Sequence, residues 1–83
     1  MSKSKPSLEP VARNPAQLGS ALLRFRKQIS WTQKRAGERG GIKQPMVSQV
    51  ESGTSGTSLG TLFKLIAALD LELVVRNRRK TPS

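Results

Sequence analysis

Seven consecutive residues, Lys43-Gln44-Pro45-Met46-Val47-Ser48-Gln49, combine compact hydrogen-bonding side chains with an interrupted apolar stripe. On a helix, Gln44 and Ser48 are one turn apart and share a face. The chemistry open to such a face is recognition rather than bond-making. A Gln amide pairs bidentately with adenine N6 and N7 in the DNA major groove, and a Lys reaches guanine O6 and N7. Gln44 is therefore assigned to adenine, and Lys43, just ahead of the helix, to guanine or a phosphate. Ser48 is assigned to the same face as Gln44, and Gln49 to bases or phosphate at its edge. Pro45 can pack on a thymine methyl, but at a helix start its principal effect is to shape the first turn. Upstream, Gln33, Lys34 and Arg35 open what reads as another helix. Gln33 can hydrogen-bond a phosphate there, helped by free backbone N–H groups. Arg35 takes the third helical position, where an acid would suit the dipole better. A base at that point gives up a little helix stability and strengthens phosphate attraction.

The remaining composition excludes most other chemistry. With no Cys and no His, zinc fingers, thiol catalysis and imidazole catalysis are ruled out. Glu9, Glu38, Glu51, Asp70 and Glu72 are scattered and offer no paired-carboxylate site. No catalytic residue, metal or cofactor is expected, and the chain does not read as an enzyme. Fifteen Lys and Arg against five acids leave a net charge of +10, which points to a polyanion, nucleic acid ahead of an anionic membrane. One Trp, two Phe and no Tyr make a poor stacking platform for single-stranded RNA, which leaves a basic RNA-binding protein as a weaker alternative. No apolar run is long enough for a membrane helix. MSKSKPSLEP lacks the apolar stretch of a signal peptide, so a soluble cytoplasmic protein is expected.

The elements that must position these residues follow from local signals. Residues 1–13 hold two Pro, three Ser and three basic residues and read as a flexible arm. Asn14 is a good N-cap, Pro15 suits the first helical position, and Gln17 completes a capping box. Leu18, Ala21, Leu22, Phe25 and Ile29 recur at helical spacing to about Ser30. Thr32 caps a second helix to about Arg39, stopped by Gly40-Gly41, which supply the positive-φ positions of a turn. Ile42 anchors that turn, and the third helix runs from Gln44 to about Glu51. Two short helices joined by a Gly-containing turn are the helix-turn-helix geometry, placed here at residues 32–51. After the small polar loop 52–58, Thr57 or Ser58 caps a fourth helix with an apolar face of Leu59, Leu62, Phe63, Ile66 and Leu69, widened by Leu65. Leu18, Leu22, Phe25, Trp31, Ile42, Val47, Val50, Leu62, Phe63 and Ile66 are the expected core.

Asp70 marks the exit from the fourth helix, and residues 71–76 then read as one β-strand. A lone strand leaves its backbone groups unpaired, so pairing with the same strand of a second copy is expected, with Leu71, Leu73, Val74 and Val75 as dimerisation residues. Residues 77–83 are a basic tail expected to be disordered. The organisation is thus an arm (1–13), a DNA-binding domain (14–70), a dimerisation strand (71–76) and a tail (77–83).

Three segments carry a family resemblance: Trp31-Thr32-Gln33, Gly41-Ile42-Lys43-Gln44, and Val47-Ser48-Gln49-Val50-Glu51. Together they resemble the Cro/CI/XRE-type helix-turn-helix. Thr57-Ser58-Leu59-Gly60-Thr61-Leu62-Phe63-Lys64-Leu65 is similar to that family's following helix. With Asn14-Pro15-Ala16-Gln17-Leu18 in front and Leu71-Glu72-Leu73 behind, the chain most resembles the HipB-type antitoxins over about residues 14–76. The resemblance implies an all-α, lambda-repressor-like helical bundle plus one C-terminal β-strand pairing across a homodimer. It implies a repressor that binds a palindromic operator in double-stranded DNA and restrains a HipA-type Ser/Thr kinase toxin. It places the base readers at Lys43, Gln44, Pro45 and Ser48, with Gln33 on the backbone. A stand-alone phage-type Cro/CI repressor is the alternative. The chain departs from the pattern at Ala36-Gly37, where Leu-Ala is usual, and at Arg35, where Glu is common. Gly lowers helix propensity by about 1 kcal/mol relative to Ala, so the second helix is expected to be loosely held until a partner binds.

Overall fold

A computed structural model describes residues 10–54 and 56–78. Expectations for residues 1–9 of the arm and 79–83 of the tail lie outside the described residues. Four helices follow in order: α1 (Pro15–Gln28), α2 (Gln33–Gly40), α3 (Gln44–Ser52) and α4 (Leu59–Ala68).

Three of the four helices begin where a capping side chain places them. The Asn14 side chain accepts from the Gln17 N–H at 2.8 Å, and Pro15 stands in the first turn of α1. The Gln17 side chain reaches back past the cap: its Oε1 accepts from the Arg13 N–H at 2.6 Å, not from Asn14. Thr32 caps α2 through the Arg35 N–H. Of the two candidates before α4, Ser58 is the cap, accepting from the Thr61 N–H.

The helix ends share one device. A residue in the left-handed region turns the chain, and the next N–H bonds a carbonyl five residues back, which satisfies carbonyls otherwise left open. The bonds are Trp31 to Arg26, Ile42 to Gly37, Thr54 to Gln49 and Leu71 to Ile66. Gly41 and Gly53 supply the left-handed residue for α2 and α3, whereas Ser30 and Asp70, both at φ 60, supply it for α1 and α4. Of the pair Gly40-Gly41, only Gly41 has positive φ. Gly40 is still helical.

The core comprises Leu22, Ala36, Val47, Val50, Leu65, Ile66 and Leu69, with Leu18, Trp31, Ile42, Leu62 and Leu71 packed against it. α3 packs on both α1 and α2, and α2 packs on α4. Two of the expected apolar faces are corrected, and with them Phe63 of the expected core. Leu59 and Phe63 are exposed (71% and 47%), whereas Leu65 is fully buried. The apolar arc of α4 is wider than the face its neighbours cover, and the covered part is centred on Leu65, Ile66 and Leu69. Ile29 is also exposed, because it is the C-cap where α1 turns away.

Two helical glycines, Gly19 and Gly37, mark close approaches. A Cβ on Gly19 would fall within 2.5 Å of the Glu51 carbonyl oxygen and would also strike that of Val50. This is where α1 meets the end of α3. A Cβ on Gly37 would lie 2.7 Å from the Ile42 carbonyl oxygen. Ala36-Gly37 is therefore a packing feature of α2. Ala36 is fully buried, and Gly37 lets the helix-turn-helix turn close against it.

No strand occurs among the described residues: 71–77 have no regular secondary structure in the single chain. Leu71 packs on the core, while Leu73, Val74 and Val75 are exposed at 47%, 69% and 90%.

Candidate nucleic-acid interface

α3 divides into two arcs. Val47, Val50 and Glu51 point into the molecule, and Gln44, Pro45, Ser48 and Gln49 are exposed together on the opposite side. The division follows from 3.6 residues per turn: the inward residues hold the helix by its back, and the four polar or compact residues face solvent. Lys43, also exposed, is the N-cap of α3 and makes no side-chain capping bond. Its ammonium is thus not engaged in capping at the head of that exposed arc. No acid stands in the first turn of any of the four helices, so no first-turn carboxylate of their own neutralises their positive ends.

The α2 residues separate in role. Lys34 is exposed. Gln33 is half-buried, and its Nε2 donates to Glu51 Oε1 at 2.9 Å. One of its two amide hydrogens is therefore held inside the protein, and the second is not used in that bond. Arg35 is exposed, with its guanidinium 5.5 Å from the Trp31 ring centre.

Behind Gln33 lies a network absent from the expectations above. Arg26 of α1 donates through Nε and Nη2 to the two carboxylate oxygens of Glu51. Its Nη1 donates to the Trp31 carbonyl at 2.7 Å. The pair is buried, with side chains 8% and 5% exposed. A signal for it exists in the sequence. Arg26 continues the stripe of Leu18 and Leu22, and Glu51 lies one turn beyond Val47. A charged residue of opposite sign on each of two apolar stripes calls for a partner, because an unpaired buried charge is costly.

A pair of helices at this geometry, with a polar exposed arc on the second, defines a helix-turn-helix protein. A family model described as Helix-turn-helix matches residues 22–75. Antitoxin HipB of Escherichia coli O6:H1 is 37% identical over 62 residues, 75% of this chain and 66% of that protein. Antitoxin HipB of Escherichia coli strain K12 is 36% identical over 62 residues, 75% of this chain and 70% of that protein. Among solved structures, a chain of the HipA-HipB-O2-O3 complex matches with a TM-score of 0.78 at 32% identity, covering 83% of this chain and 97% of that one. The chain belongs to the XRE-type helix-turn-helix family and, within it, to the HipB-type antitoxins. It spans about two thirds of the length of the two Escherichia coli relatives.

Proposed function

We propose that this chain is a transcriptional repressor and antitoxin of a HipBA-like operon, binding a palindromic operator as a homodimer and restraining a HipA-type kinase toxin. The observation that carries the DNA-binding half is the exposed arc of α3, Gln44, Pro45, Ser48 and Gln49, headed by Lys43. In this reading α3 enters the major groove, Gln44 pairs with adenine, and Lys43 and Ser48 reach neighbouring base edges or phosphate. Gln33, at the head of α2, and Lys34 act on the backbone. The toxin-binding half rests on the family and on the match to a chain solved together with HipA.

The two-fold pairing brings two α3 helices to half-sites about 34–36 Å apart, one helical turn of DNA. Val74 and Val75, exposed beyond the core-anchored Leu71, support pairing of residues 71–76 between copies. No helix among the described residues is long and apolar enough to cross a membrane.

The test is anisotropy titration of a duplex from upstream of the chain's own gene at several salt concentrations. Specific binding is expected, weakening with a log–log slope of about −0.9 per phosphate contacted. Binding that is absent, or indifferent to salt, overturns the reading.

A further inference from the structure

Trp31 is flanked by two guanidiniums, Arg35 at 5.5 Å and Arg39 at 5.6 Å from its ring centre. Both arginines are exposed and the Trp is half-buried. Among the described residues the one ion pair is Arg26–Glu51, so neither Arg35 nor Arg39 has a carboxylate partner there. Two like charges are thus held one helical turn apart over a single ring. Trp31 packs against the core, and its backbone carbonyl accepts from Arg26 Nη1. Such a platform is apolar at its floor and cationic at its rim, and it lacks only an anion.

The direction it faces decides between anions. α3 lies on the side of α2 that carries Gln33 and Gly37: Gln33 bonds Glu51, and Gly37 abuts Ile42, Gln44 and Val47. Arg35 and Arg39 each stand two residues further along from these, roughly 200° around the helix axis. They therefore face away from the flank of α2 that packs on the reading helix. A duplex gripped by α3 leaves this platform uncovered.

We propose that Trp31, Arg35 and Arg39 form a docking site for carboxylates on the surface of a protein partner, usable while the chain is bound to DNA. The proposal rests on the antitoxin reading, and the partner is then the HipA-type kinase of the same operon. Arg and Trp together are the residue types that most often dominate protein interfaces. Arg35, expected from the sequence to strengthen phosphate attraction, is thereby assigned to the partner face instead.

The experiment compares the full chain with Arg35→Ala/Arg39→Ala and with Arg35→Lys/Arg39→Lys, measuring affinity for that kinase and for operator DNA. The Ala pair is expected to weaken kinase binding on the order of tenfold or more, with operator affinity and salt slope unchanged. Retained operator binding also shows that the variant folds. The Lys pair, which keeps the charge and loses planar stacking, is expected to fall in between. A salt slope shallower by about 0.9 per arginine removed, with kinase binding intact, makes the pair a phosphate clamp and overturns the proposal. Unchanged affinity for both ligands also overturns it. If the unaltered chain does not bind the kinase, the antitoxin reading itself fails.

Discussion

Arg26 and Glu51, twenty-five positions apart, meet through two hydrogen bonds inside the protein. The pair joins α1 to the end of α3, and through Glu51 it also holds Gln33 at the head of α2. One buried carboxylate thus ties together three helices of the DNA-binding unit. Removing either partner strands the other charge away from water. Glu51→Gln and Arg26→Ala are each expected to cost about 3–5 kcal/mol in urea unfolding. The double change Arg26→Met/Glu51→Leu is expected to recover most of that loss, because no unpaired charge is left behind.

Gly19 sits where α1 touches the carbonyls of Val50 and Glu51. On helix propensity alone, alanine there is favoured by about 1 kcal/mol. The contact reverses the sign, since both obstacles are backbone and cannot rotate aside. Gly19→Ala is expected to lower stability by about 1–3 kcal/mol. A rise in melting temperature would show that the helices part at no cost.

Ser30 and Asp70 end α1 and α4 at positive φ without being glycine. The left-handed conformation costs a residue with a Cβ about 1–2 kcal/mol, part of which glycine returns through its freer unfolded chain. Ser30→Gly is expected to stabilise the protein by up to about 1 kcal/mol, read as a higher thermal midpoint with unchanged operator affinity.

Gln44 stands on the exposed arc of α3 and away from the core. Gln44→Ala is expected to leave the melting temperature unchanged and to cost about 1–3 kcal/mol of operator binding, with specificity relaxed at one base pair. Equal losses on operator and random duplex would assign Gln44 to the backbone instead.

Leu71 is anchored in the core of its own chain, whereas Val74 and Val75 are exposed. Removing the segment from residue 71 therefore damages the monomer as well as any pairing. Val74→Asp/Val75→Asp is the cleaner change. It is expected to shift sedimentation from dimer to monomer with the helical circular dichroism signal retained. A persistent dimer would refute pairing through residues 71–76.

What the sequence determined on its own is local. Asn14, Thr32 and Ser58 cap their helices because a side-chain oxygen and an N–H three residues later are neighbours whatever surrounds them. The inward placement of Val47 and Val50, and the outward arc they leave to Gln44 and Ser48, follow from helical spacing in the same way. Tertiary structure decided what depends on a neighbour distant in the chain. It selected which part of the wide apolar arc of α4 is covered, burying Leu65 and leaving Leu59 and Phe63 outside. It made Gly37 a contact rather than a weakness, because the Ile42 carbonyl closes on it. It also turned Arg26 and Glu51, two charges on apolar stripes, into one buried pair. Spacing along a helix sets which residues share a face, but only packing brings the face of another helix against it.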